Sequence, residues 1–187
     1  MMKRLMLMVV ACAMVASVAY AAGVKLPATL KAGDSDLVLN GAGIRTKKIV
    51  VNIDLYTAGL YVPQKTKDMD ALLNSDGKVA IKLHIMSKLI TSKKMTDATL
   101  EGFEKSTNGN MAPIKKEIDE MISVFSSAIH KDDVYDMVYE PGKGTGIYKN
   151  GKLAKIVQGA AFKKALFGIW VGKNPAQASL KTQLAGS

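Results

Sequence analysis

Cysteine is almost missing from this chain: its 187 residues include one, Cys12, which lies in an apolar N-terminal run. That excludes a disulfide framework or a cysteine-based metal site in the rest of the chain, so stability there must come from packing. Histidine is nearly as scarce, with two in the chain. His84 falls on the polar face of an alternating segment beside Lys82 and Met86, which reads as an exposed strand position. No metal and no cofactor are expected. Internal repeats, low-complexity tracts and long linkers are also absent. Gly142-Lys143-Gly144-Thr145 has the wrong spacing for a phosphate loop and joins strand-like segments.

Arginine is the most telling scarcity. Of 26 basic residues only Arg4 and Arg45 are arginine. Arg4 sits in the N-terminal segment, so the remainder uses lysine for surface charge and arginine once. The planar guanidinium fork grips a carboxylate or phosphate with two hydrogen bonds, which an ammonium does not do.

Residues 1–21 read as a secretory signal. Lys3 and Arg4 form a basic start, Leu5 to Val18 is apolar but short for a membrane span, and Ala19-Tyr20-Ala21 is a small-x-small cleavage site. Cleavage before Ala22 leaves residues 22–187 as one domain, large enough for a real core. A periplasmic or secreted location follows, with no stable membrane insertion after cleavage. The formal net charge is +10. The lysines are scattered in ones and twos among Asp and Glu, which argues against a nucleic-acid partner and for solubility or weak attraction to anionic lipid.

The segment Gly41 to Val62 organises the chain. Read as one unbroken strand from Arg45, period 2 places Arg45 with Ile49, Val51, Ile53 and Leu55, opposite Lys48, Asn52 and Asp54. An arginine on the apolar side needs a partner, either a protein carboxylate or a bound anion. Gly41 and Gly43 are expected to serve a tight lead-in that uses positive φ.

Elsewhere, Val79, Ile81, Leu83 and Ile85 alternate as a half-buried strand. Residues 87–107 read as mainly helical, with Met95, Leu100 and Phe103 as anchors. A second helix opens at Asn110 and Pro113 and carries Met111, Ile114, Ile118, Met121, Ile122 and Phe125 on one stripe, expected as ordinary core, with methionines lining an adaptable pocket as the alternative. Three short strands follow, the last two joined at Asn150-Gly151, a strong hairpin turn. Phe162, Ala165, Leu166 and Ile169 mark a helix ended by Gly172, and Pro175 begins another. Strands, then helices, then a hairpin, then helices give an α+β class: a mostly antiparallel sheet covered by helices on one face.

Two segments together resemble the chalcone isomerase-like family in its exported bacterial branch. One is Gly41-Ala42-Gly43-Ile44-Arg45 with Tyr56-Thr57-Ala58-Gly59-Leu60-Tyr61-Val62. The other is Asn150-Gly151 followed by Phe162, Ala165, Leu166, Phe167, Ile169-Trp170-Val171-Gly172, Pro175 and Leu180-Lys181. The resemblance implies an open-faced β-sandwich. It places Arg45 at the arginine that holds substrate in the enzymes, and Tyr56 where they carry threonine. A mid-chain tyrosine of the enzymes has no counterpart between Tyr61 and Tyr135, and Ile169 stands near a Ser or Thr position. The arginine is kept while most hydroxyls around it are lost. Those losses favour a non-catalytic binder of a small amphipathic carboxylate such as a fatty acid, or another lipid, with Arg45, Tyr56 and Thr57 as ligand-binding residues. The alternatives are an isomerase or intramolecular lyase using Arg45 as electrophile, and a structural or adaptor protein with Arg45 internally paired.

Overall fold

The computed structural model describes residues 19–21, 23–48 and 50–186. Most of the expected signal, with Cys12, the cleavage boundary at Ala22, and Ile49 lie outside the described residues. A two-stranded ribbon, β1 (Ala19–Ala21) and β2 (Val24–Leu26), precedes the main sheet. Seven antiparallel strands then run as a meander: β3 (Thr29–Ala32), β4 (Ser35–Lys48), β5 (Asn52–Val62), β6 (Val79–Ile85), β7 (Val134–Glu140), β8 (Gly144–Lys149) and β9 (Lys152–Val157). Five α-helices lie among the described residues: α1 (Met69–Asn74), α2 (Ser92–Ser106), α3 (Lys115–Ile122), α4 (Ala160–Val171) and α5 (Ala178–Leu184). The class is α+β, as the element order predicts.

Alternation along each strand divides the core. Val79, Ile81, Leu83 and Ile85 of β6 face the helices and join the main core with Phe103, Phe162, Leu166 and Phe167. The opposite face carries a smaller cluster of Ala32, Leu37, Tyr61, Ala80 and Val138. The sheet curls around this cluster, bringing β3 against β7 although they are not neighbours in the strand order. Of the stripe on and flanking α3, Ile114, Ile118, Met121 and Phe125 are buried, and Met111 and Ile122 pack half-buried against the core. No helix of the described residues is long and apolar enough to cross a membrane.

The unbroken strand through Arg45 is corrected. The chain reverses between Lys48 and Asn52, and Val50 and Val51 project from the turn, 89% and 65% exposed. β4 also begins well before the glycines, running without a break from Ser35 through Asn40 into Gly41 and on to Lys48. The apolar turn residues resemble strand interior, and nothing like Asn-Gly marks the reversal. Register shifts at Leu39/Gly41 and at Arg45/Thr46 then reset which residues face the helices. At the second shift Arg45 pairs with Tyr56 and Thr46 with Asp54, leaving Leu55 as the extra residue on β5.

The role expected of Gly41 and Gly43 is corrected too. Neither has positive φ. A Cβ at Gly41 would lie 2.2 Å from the Gln183 carbonyl oxygen, and one at Gly43 would lie 2.1 Å from Gln183 Oε1. The glycines are needed because α5 rests directly on the strand. Asn40 reinforces this contact by donating to the Leu184 carbonyl at 2.8 Å. Gly41→Ala is expected to lift α5 and cost about 1–3 kcal/mol by overpacking. A lowered denaturation midpoint would report it, and an unchanged midpoint would contradict the close contact.

Candidate functional site

A cleft of about 390 Å³ lies between the helix-facing side of the sheet and the helices, within the size range of ligand pockets. Leu55, Leu83 and Met137 of the sheet contribute its floor, and α2, α3 and α4 supply Met95, Met121 and Ile169. Met95, expected as a helix anchor, and Met121, expected as core with a pocket lining as the alternative, thus line a cavity with adaptable thioether surface. The mouth is charged: Lys47 on β4 faces Lys94, Asp97, Glu101 and Lys105 along α2. Glu101 pairs with Lys105 at 2.5 Å, and Lys93 with Asp97 at 2.6 Å.

Arg45 and Tyr56 meet in this cleft because they are register partners on β4 and β5. Leu55, the extra residue of the bulge, lines the same cavity, and beyond it Ala58, Leu60 and Val62 face the helices in phase with Tyr56. Thr57 consequently turns to the sheet's other face. It is buried, its hydroxyl lies 3.1 Å from Met86 Sδ, and it does not line the cleft. The structure therefore brings together two of the three expected site residues.

The partners of Arg45 are neutral. Its Nη1 donates to the Thr46 carbonyl at 2.8 Å and to Gln177 Oε1 at 2.9 Å. Gln177 Oε1 also accepts from the Thr46 amide at 2.9 Å, while its Nε2 donates to the Ile44 carbonyl at 3.1 Å and to Ser179 Oγ at 2.8 Å. Among the described residues no carboxylate forms an ion pair with Arg45. The guanidinium is thus held in place by neutral groups without a direct ion pair, and its charge acts on Tyr56 and Glu101, which line the same cleft.

Tyr56 is oriented by Trp170, whose indole Nε1 donates to the phenol oxygen at 3.0 Å. Burial pushes the Tyr56 phenol above its ordinary value, and the Trp170 hydrogen bond and the Arg45 charge only partly offset this. The hydroxyl therefore stays protonated at neutral pH. With one acceptor position filled by the indole, its own proton remains to be donated. The pair Arg45 and Tyr56 can offer a charged fork and a neutral O–H to one anion.

Gln177 and the hydrogen bond of Trp170 escaped sequence reasoning. Gln177 carries no motif, and it reaches Arg45 only because α5 packs on Gly41 and Gly43. Trp170 reads as bulk on an apolar helix. Thr99, a buried hydroxyl residue on α2, also lines the cleft without a signal in the sequence. Ile169, near the position of a lost hydroxyl, is a buried part of the wall. Among the described residues no group of three metal-ligating side chains converges.

A family model described as chalcone isomerase-like matches residues 18–186. The fold is similar to the crystal structure of a fatty-acid binding protein from Arabidopsis thaliana, at a TM-score of 0.71 and 19% identity, covering 87% of this chain and 92% of that one. None of the curated proteins matches the chain.

Proposed function

Since the chain belongs to the chalcone isomerase-like family, we propose that it is a non-catalytic binder of a small amphipathic carboxylate, of which a long-chain fatty acid is the model. One observation carries this reading: Arg45, held by the neutral Gln177, stands beside the donor-ready Tyr56 hydroxyl at a cleft with a charged mouth and a mostly apolar wall. The carboxylate would take the guanidinium and the phenol. The chain would lie against Leu83, Met95, Met121 and Met137, each buried methylene contributing about 0.8 kcal/mol. The fatty-acid binding neighbour adds support at the level of the fold. Cyclising chemistry has less to work with, since Ile169 offers no hydroxyl to order water or stabilise an enolate.

The test compares a fatty acid with its methyl ester. The ester keeps the chain and loses the charge, so it should bind at least about ten-fold more weakly, the loss of a charge-assisted hydrogen bond. Equal affinities would defeat the carboxylate reading. Gln177→Glu gives an independent check. A carboxylate there would pair with Arg45 and repel the ligand, lowering fatty-acid affinity by about ten-fold or more. The reading includes export, with Ala22 as the mature start. The intact mass of the exported protein tests that, and retention of residues 1–21 would refute it.

A further inference from the structure

The two most exposed large apolar side chains of the described residues, Val50 and Val51, stand at one rim of the cleft, while a second exposed pair, Leu153 and Ile156, lies on β9. Val50 and Val51 cap the β4–β5 hairpin, and Leu89, 45% exposed, lines the cleft from the segment after β6. Lys47 and Ile53, the register pair near the hairpin end, also line the cleft, so the hairpin continues its wall outward. The Met86 and Ser87 amides donate to the Leu55 carbonyl at 2.9 and 3.2 Å, which fixes the segment carrying Leu89 beside that strand.

Charge around this rim is mostly of one sign. Lys47, Lys48, Lys88 and Lys94 are exposed, and none forms an ion pair among the described residues. Of the nearby carboxylates, Asp97 and Glu101 are taken by Lys93 and Lys105, leaving Asp54. Free lysines around projecting aliphatic tips fit an anionic lipid surface: the tips enter the headgroup layer and the ammonium groups lie on the phosphates.

We propose that this rim docks on the anionic face of a lipid bilayer, so that the cleft opens toward a source of acyl chains. The inference rests on the lipid-acid reading of the cleft. Docking is peripheral and reversible, since a few side chains enter rather than a spanning element.

Co-sedimentation with vesicles tests it, using phosphatidylcholine alone and phosphatidylcholine mixed with phosphatidylglycerol. The wild type should partition onto the mixed vesicles, and less so as salt rises. Val50→Asp with Val51→Asp should lower partitioning by about ten-fold or more. Lys48→Gln with Lys88→Gln, at positions outside the cleft lining, should lower it by roughly 25-fold, about five-fold for each lysine. The variants share the wild-type N-terminus, so any difference reads the rim alone. Both should keep wild-type fatty-acid affinity in lipid-free buffer. Wild-type partitioning in both variants, no preference for anionic vesicles, or a wild type that binds a protein and no vesicle would each overturn docking. Absent fatty-acid binding in lipid-free buffer would instead defeat the reading of the cleft.

Discussion

Arg45→Ala is expected to weaken fatty-acid binding by about 30-fold to a few thousand-fold, the equivalent of roughly 2–5 kcal/mol for stripping one partner from a desolvated charge pair. The ligand carboxylate would remain against Trp170 and the apolar wall with the Tyr56 hydroxyl alone. Arg45→Lys should recover part of the loss, because lysine restores the charge but cannot serve Gln177, the Thr46 carbonyl and a ligand as a planar fork. Stability should change much less than affinity. The protein partners of Arg45 are an amide oxygen and a carbonyl, so the variant strands no buried carboxylate. Titration calorimetry and thermal unfolding on the same variants separate the outcomes. Unchanged affinity with a large drop in midpoint would make Arg45 part of the scaffold.

Lys163→Ala is expected to cost about 3–5 kcal/mol of stability, placing it among severe core truncations. Lys163 is 2% exposed on α4, and its ammonium donates to the carbonyls of Leu72, Leu73 and Ser75 at 3.0, 3.2 and 2.8 Å. These acceptors lie at the C-terminal end of α1, where carbonyls lack helical partners and the helix dipole favours a cation. Burial pushes the lysine below its ordinary pKa, and Asp76 acts in the opposite direction. Its ammonium also lies 5.4 Å from the Tyr139 ring centre. The alanine variant would leave both a cavity and unsatisfied carbonyls. Lys163→Met keeps most of the stem and should lose about 1–3 kcal/mol through the hydrogen bonds alone. Denaturant midpoints at constant slope measure both, and a loss below about 1 kcal/mol for alanine would show that water replaces the ammonium.

Legibility in the sequence followed the range of the signal. The β6 alternation and the Asn150-Gly151 turn are local, and both residues of that turn take positive φ, 52° and 77°. The reversal after Lys48 was illegible because its exposed valines look like strand interior. Arg45 was legible by rarity, and the resemblance brought Tyr56 beside it. The face of Tyr56 was not legible, since it depends on one inserted residue in β5. Gly41 and Gly43 stand out in the sequence for their conformational freedom, whereas the structure uses their missing side chains, which only the docking of α5 discloses. Gln177 was invisible because its contact with Arg45 spans 132 positions and has no sequence pattern.

Trp170 is the only tryptophan of the chain, and its indole is tied to the Tyr56 hydroxyl in the cleft wall. All indole emission from the protein therefore originates at one place, beside Arg45 and Tyr56. On the proposed function, its colour and intensity would register whether water or an acyl chain fills the cavity, with no attached dye. Loading, release and exchange can be followed optically in real time on the unmodified molecule.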